Sequence, residues 1–270
     1  MTVYPFVVHI GRFSLTGYGL LLMCAFLVAG WVFANELERA GQDTAIAWDS
    51  VVFAVIGGLI GGKVYYAILV HDWSAITSRG GLVWYGGFAG GLTGVTAYMW
   101  WKRLPIRAMG DLVAPALAAG YAVGRVGCFL VGDDYGVPTN VPWAVAFPQG
   151  SPPSTARMLM QEFHVALAPG TPLDAVLAVH PTQLYEVVIA LAAFVLLMRL
   201  RDTRFGAGWR FGIYLALAGM ARLFVEIFRA KDDRILGPFT LAQAFSMLVI
   251  GVGAWLVVNA QNEAKILRTG

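Results

Sequence analysis

Residues 118–136 read AAGYAVGRVGCFLVGDDYG. Small and apolar side chains run for about two helical turns on each side of one arginine, Arg125, until the chain meets Gly132 and the aspartates Asp133 and Asp134. What a lone cation does in such a run depends on the solvent around it. The rest of the chain supplies that solvent: 58% of the 270 residues are hydrophobic and only 13% are charged, against about 25% charged in soluble domains. The composition excludes an ordinary water-soluble domain and predicts an integral membrane protein.

A helix crossing hydrocarbon needs about 20 mostly apolar residues. Windows of that kind fall at about 15–34, 50–70, 82–101, 112–131, 182–200, 210–229 and 239–259. No ten-residue segments of alternating polarity suggest a β-barrel. The expected fold is therefore all-α and polytopic, with seven transmembrane helices in a single transmembrane domain over 1–270. No Lys or Arg precedes Arg12, so the first apolar run is expected to remain as a span rather than be cleaved as a signal peptide. Cys24 and Cys128 both fall inside windows, which suits packing rather than a disulfide framework or a metal site. No metal or cofactor is expected, and a net charge of +3 gives no indication of nucleic acid as a partner.

Cytoplasmic connections carry the excess of Lys and Arg. With the N-terminus outside, the inner segments hold Arg39, Lys102, Arg103, Arg107, Arg199, Arg201, Arg204, Arg210, Lys265 and Arg268. The outer segments hold the smaller set Arg12, Arg79, Arg157, Arg229, Lys231 and Arg234. This orientation puts the C-terminus in the cytoplasm. It also puts the long Pro- and Gly-containing connection at about 132–181 on the outer face, as a loop subdomain.

A charge near the middle of a span costs about 2.5–3.5 kcal/mol or more, so it faces a partner or a wet cavity. Arg125 is expected to line a cavity. Glu186 follows HPTQLY near the outer end of the fifth window, and MARLFVEIFR sets Arg222, Glu226 and Arg229 on one helical face. An internal Arg222–Glu226 pair that fixes packing is one reading. Two unpaired cations, Arg125 with Arg222 or Arg229, converging on an anionic ligand such as a phosphate is the other. The glycines of GGLIGG at 57–62 and WYGGFAGG at 84–91 allow close helix packing. Gly86 and Gly87, after Tyr85, could also leave amides free for an anion at a helix start. A solute transporter or a lipid-binding protein without catalysis would also use buried charges, but no inverted halves or matched broken helices are visible.

Taken together, these segments resemble the bacterial prolipoprotein diacylglyceryl transferases. The resemblance runs through LTGYGLLLMCAFLVAGW, GGLIGGKVYYAIL, WYGGFAGGL, GDLVAPALAAGYAVGRVGCF, VPWAVAFP, HPTQLYE and ARLFVEIFR, in that order. It implies a seven-span enzyme of the bacterial inner membrane. Such an enzyme transfers the diacylglyceryl group of phosphatidylglycerol to the lipobox cysteine of a lipoprotein precursor, forming a thioether and releasing glycerol 1-phosphate. Membrane lipid and lipoprotein precursors are the implied partners.

By the same resemblance, Arg125 falls on the arginine that binds the phospholipid headgroup, Arg222 on a second arginine with Glu226 and Arg229 beside it, and Tyr18 on the first-span tyrosine. Arg125, Tyr85, Arg222 and Glu226 form the expected catalytic set. Arg125, Tyr18, Gly86, Gly87, Gly124, Asp133, His180, Gln183, Glu186 and Arg229 form the expected substrate-binding set.

The chain departs from the family pattern at several polar positions. Tyr85 stands where a His proposed to take the thiol proton usually precedes Gly-Gly. Cys128 and Val131 replace two asparagines, Asp133 replaces a glutamate, and Ala218 stands four residues before Arg222 where a tyrosine is expected. A tyrosine with a pKa of about 10 is a poorer base at neutrality than imidazole. The aspartates Asp133 and Asp134, and His180, are the other titratable groups that could provide the missing base. Asp134 reads as a cap or a partner for Arg125, and His180 reads as positioning the helix that follows Pro181.

Overall fold

The computed structural model describes residues 1–10, 13–78, 81–201, 205–230, 234–236 and 239–269. Arg12, Arg79, Arg204 and Lys231, used above for orientation, lie outside them. The chain forms α1 (Gly17–Arg39), α2 (Ala45–Leu69), α3 (Trp84–Trp101), α4 (Ile106–Val131), α5 (Ala156–Gln161), α6 (Thr182–Arg199), α7 (Trp209–Glu226) and α8 (Leu241–Thr269). Among the described residues, five helices, α1, α2, α4, α6 and α8, are long and apolar enough to cross a membrane. The protein is thus helical and polytopic. α3 and α7 coincide with the windows at 82–101 and 210–229, but α3 is diluted by glycine and tryptophan, and α7 carries Arg210, Arg222 and Glu226. α7 also stops at Glu226, so Arg229 sits in the connection that follows rather than on the helix.

Short strands complete the fold: β1 (Val7–Ile10), β2 (Phe13–Thr16), β3 (Val145–Ala146), β4 (Ala178–Val179), β5 (Arg234–Leu236) and β6 (Phe239–Thr240) form three two-stranded antiparallel sheets. The backbone divides into two compact units, Met1–Ala29 with Ala114–Gly270, and Gly30–Val113.

In the first unit, α1 meets α4 where Gly120 faces the Ala25 carbonyl and the Ala29 methyl, and where Leu21 and Tyr18 lie over Gly127. The connection from 132 to 181 has its own small core, in which Tyr135, Val145, Phe147, Leu159 and Val179 pack with Val3 and Ala230. α4 ends because Gly132 takes φ +69, a left-handed value that glycine reaches without a Cβ penalty. The amides of Gly132 and Asp133 then bond back to the Cys128 carbonyl at 3.0 and 3.3 Å. A Cβ at Gly132 would stand 2.8 Å from Phe147 Cδ1. This turn directs Asp133 and Asp134 back along the end of α4.

In the second unit, α2 and α3 touch backbone to backbone. A Cβ at Gly57, Gly61, Gly86, Gly90 or Gly94 would collide with a carbonyl of the facing helix. All but Gly94 are GGLIGG and WYGGFAGG glycines, and close approach is what the structure shows them doing. Asp49 accepts from the Tyr98 hydroxyl at 2.8 Å, and Phe53 stacks on the Tyr98 ring.

The packing makes a direct prediction. Gly90→Val forces a branched side chain into the Gly57 carbonyl and should destabilise the protein by about 1–3 kcal/mol or more, seen as a lower melting temperature in detergent. Gly251→Ala meets nothing within contact distance and should leave the melting temperature unchanged or slightly raised.

Candidate active site

Arg125, on α4 and only 8% exposed, is not a free cation. It forms an ion pair with Glu186 of α6, and its Nη1 lies 3.1 Å from Asp134. Glu186, 3% exposed, also accepts from the Tyr121 hydroxyl at 2.8 Å and lies 3.9 Å from Arg222 of α7. Arg222 pairs with Glu226 at 2.8 Å. Glu226 lies 3.8 Å from Arg229, and Arg229 returns to Asp134 at 2.6 Å. The six side chains form a closed ring in which cation and carboxylate alternate: Arg125, Glu186, Arg222, Glu226, Arg229, Asp134.

The expectation of two unpaired cations is therefore corrected, while the Arg222–Glu226 pair is found as expected. The reason is energetic, since an isolated ion in a low-dielectric interior carries a penalty of several kcal/mol that a well-placed counter-ion offsets.

Three helix ends, one turn and the connection after α7 build the ring. Arg125 stands near the C-terminal end of α4, Glu186 near the start of α6, and Arg222 and Glu226 near the end of α7. The first residue before α8, Thr240, donates to Glu226 Oε1 at 3.1 Å. Asp134 adopts φ +55, a value costly for a side chain other than glycine. It is held there by Arg125, by Arg229, and by the Thr182 hydroxyl, which donates to its backbone carbonyl at 2.6 Å. Burial would raise the Asp134 carboxyl, but Arg229 and Arg125 outweigh it and bring it down to about 2.

Asp133 behaves differently. Burial, with the Asp134 charge beside it, pushes its carboxyl up to about 6. Cys128 is a close electrostatic neighbour, and its sulfur is 3.4 Å from Arg125 Nη1. The Oδ1 of Asp133 is buried without a hydrogen-bond partner.

Not all of the expected residues meet at the ring. Gln183, fully buried, donates through Nε2 to the Asp133 backbone carbonyl. Tyr18 packs over Gly127 and senses the charges of Asp133 and Arg125. Gly124 borders open space, with nothing near where a Cβ would stand. His180 joins an aromatic group instead: its Nδ1 is 3.0 Å from the Tyr185 hydroxyl, its ring lies 5.2 Å from that of Phe228, and burial lowers its pKa. Tyr85, Gly86 and Gly87 belong to the second unit. Tyr85 is 55% exposed beside Trp84, and the Gly87 amide donates to the Val83 carbonyl at 3.0 Å.

The ring also recruits residues that sequence reading missed. Tyr121 sits one helical turn before Arg125, a spacing that could have revealed it. Thr182 lies inside HPTQLYE. Thr240 comes from a distant segment and leaves no such signal.

Helices of bilayer length that gather a ring of alternating charge at their ends define a polytopic membrane protein with a buried polar site. The chain belongs to the prolipoprotein diacylglyceryl transferase family, whose sequence pattern matches residues 5–259. The phosphatidylglycerol–prolipoprotein diacylglyceryl transferase of Trichormus variabilis is 31% identical over 94% of this chain and 90% of its own length. The proteins of that name from Pseudoalteromonas translucida and Corynebacterium glutamicum are each 29% identical, over 96% and 92% of this chain and 94% and 80% of their own.

The ring predicts a large effect at its most buried member. Glu186→Gln removes the more buried of the two counter-ions of Arg125 and should cost about 3–5 kcal/mol of stability. Tyr121→Phe removes one hydrogen bond to a charged group and should cost about 1.5–3 kcal/mol. Thermal melts of the two variants in the same detergent would rank them.

Proposed function

We propose that the protein transfers the diacylglyceryl group of phosphatidylglycerol to the thiol of the lipobox cysteine in a lipoprotein precursor, forming a thioether and releasing glycerol 1-phosphate. The observation that carries this reading is Arg125, buried in the charge ring of a chain that belongs to the diacylglyceryl transferase family. Its Nε is buried and makes no hydrogen bond, so the guanidinium has a donor left for a phosphate oxygen. Arg222 is the most open of the three ring arginines, with 29% of its side chain exposed.

The chemistry is displacement at an alkyl carbon. The thiol sulfur attacks the glycerol carbon, the carbon–oxygen bond to phosphate breaks, and negative charge grows on the departing phosphate. Cations already aimed at that oxygen lower the barrier without reorganising at the moment of reaction. In this reading Arg125 and Arg222 hold the phosphate, with the planar fork of each arginine matched to two oxygens. Glu226 and Arg229 keep Arg222 and Asp134 in register. Tyr18, Gly124, Gln183 and Glu186 shape the space for the headgroup, and His180 orders the start of α6. Tyr85 stands at the family's His position and, with Gly86 and Gly87, remains in the assigned set; Tyr85→Phe in the same assay tests it.

The reading sets the chain in the bacterial inner membrane with seven spans, the N-terminus outside, the C-terminus cytoplasmic, and the 132–181 subdomain on the outer face. Within a single transmembrane domain, that subdomain would receive precursors arriving there.

Purified protein, phosphatidylglycerol and a lipobox peptide should give a diacylglyceryl-peptide detectable by mass. Arg125→Ala should lower turnover by about 10²–10³-fold or more while the protein still inserts. Arg125→Lys should be nearly as poor, because it loses the fork. Wild-type turnover in Arg125→Ala would refute the headgroup assignment.

A further inference from the structure

Thioether formation requires a group that takes the proton from the acceptor thiol. Of the four carboxylates at the ring, Glu186, Glu226 and Asp134 are each paired with arginines, and a carboxylate held by a guanidinium is a weak base. Asp133 forms no ion pair with these arginines among the described residues. It stands one residue beyond Gly132, beside the guanidinium edge of Arg125.

The chain's own Cys128 displays the surroundings a thiol meets there, with its sulfur 3.4 Å from Arg125 Nη1 and the Asp133 charge close by. While the other three carboxylates are held by arginines, the Oδ1 of Asp133 is buried with no donor. From this geometry we infer that Asp133 is the catalytic base of the transfer, its Oδ1 receiving the proton of the acceptor cysteine.

The inference rests on the transfer reading given above. In the step, the acceptor S–H proton moves to Asp133 Oδ1 and the sulfur lone pair forms the new S–C bond to glycerol. The C–O bond to phosphate breaks, and its electron pair leaves on the phosphate oxygen of glycerol 1-phosphate. The protonated Asp133 then releases its proton to that phosphate or to water. The charged and titratable groups facing Asp133 are Tyr18 from α1, Arg125 and Cys128 from α4, Asp134 beside it, and Arg229 beyond α7. Burial and Asp134 raise its carboxyl to about 6, while Cys128, Arg125 and Arg229 pull the other way. It is therefore a stronger base than an ordinary aspartate and still ionised at neutral pH.

The test measures kcat/KM of the full-length protein with phosphatidylglycerol and a lipobox peptide from pH 5 to 9, alongside phosphatidylglycerol binding. Wild type should gain activity as pH rises, with a midpoint near 6, because the base works only as carboxylate. Asp133→Asn should bind phosphatidylglycerol as wild type does and lose about 10²–10⁴-fold in turnover at pH 7. Its activity should recover as pH approaches the thiol pKa of about 8.5, where solvent supplies the thiolate. Asp133→Glu should retain a rising limb.

Wild-type turnover in Asp133→Asn, an unchanged midpoint in that variant, or loss of its phosphatidylglycerol binding would each overturn the assignment. So would Tyr85→Phe abolishing the rising limb that Asp133→Asn keeps. No thioether product from wild type at any pH would instead overturn the transfer reading itself, and the role of Asp133 with it.

Discussion

The ion pair between Arg125 and Glu186 is the constraint from which the site follows. A guanidinium only 8% exposed keeps little solvation, so a counter-ion must come from elsewhere in the chain, and α6 supplies a carboxylate almost fully removed from solvent. Glu186 cannot satisfy both of its oxygens with Arg125 alone, which brings in Tyr121 and Arg222. Each added charge then needs its own counter-ion, and the sequence of pairings closes at Asp134. Three cations and three carboxylates leave the ring formally neutral. In the proposed transfer, a phosphate diester shares arginines with carboxylates already present, so its recognition rests on geometry more than on net attraction.

Much of this was legible in the sequence, for identifiable reasons. Composition and apolar windows located the long helices, because hydrocarbon permits so few ways of satisfying a backbone. The i, i+4 spacing of Arg222 and Glu226 predicted their pairing directly. Two other features were not legible. That Arg125 would be paired depended on Glu186, separated from it by the whole 132–181 connection, and no local pattern records such a contact. That Asp134 and Asp133 would differ so sharply depended on the left-handed turn at Gly132 and Asp134, which presents one carboxylate to two arginines and the other to a thiol. Side by side in sequence, the two aspartates have little in common electrostatically.

The departures from the family pattern gain meaning against this background. Cys128, in place of an asparagine, still occupies a polar position, since its sulfur lies 3.4 Å from Arg125 Nη1. Tyr85 is half exposed at the start of α3. Its neighbours Trp84 and Phe88, with rings 5.5 Å apart, give it an aromatic setting and no charged partner among the interactions described.

The contact between α2 and α3 has an evolutionary corollary. Where two side chains interlock, an enlargement on one helix can be relieved by a reduction on the other, and the pair can drift together. At Gly57, Gly61 and Gly90 the opposing surface is main chain, already as small as a polypeptide can be. No second-site change on the facing helix can make room for a substituent there. These positions should then vary independently of their partners or not at all, and the helix pair should be inherited as a fixed unit while the polar residues of the charge ring exchange around it.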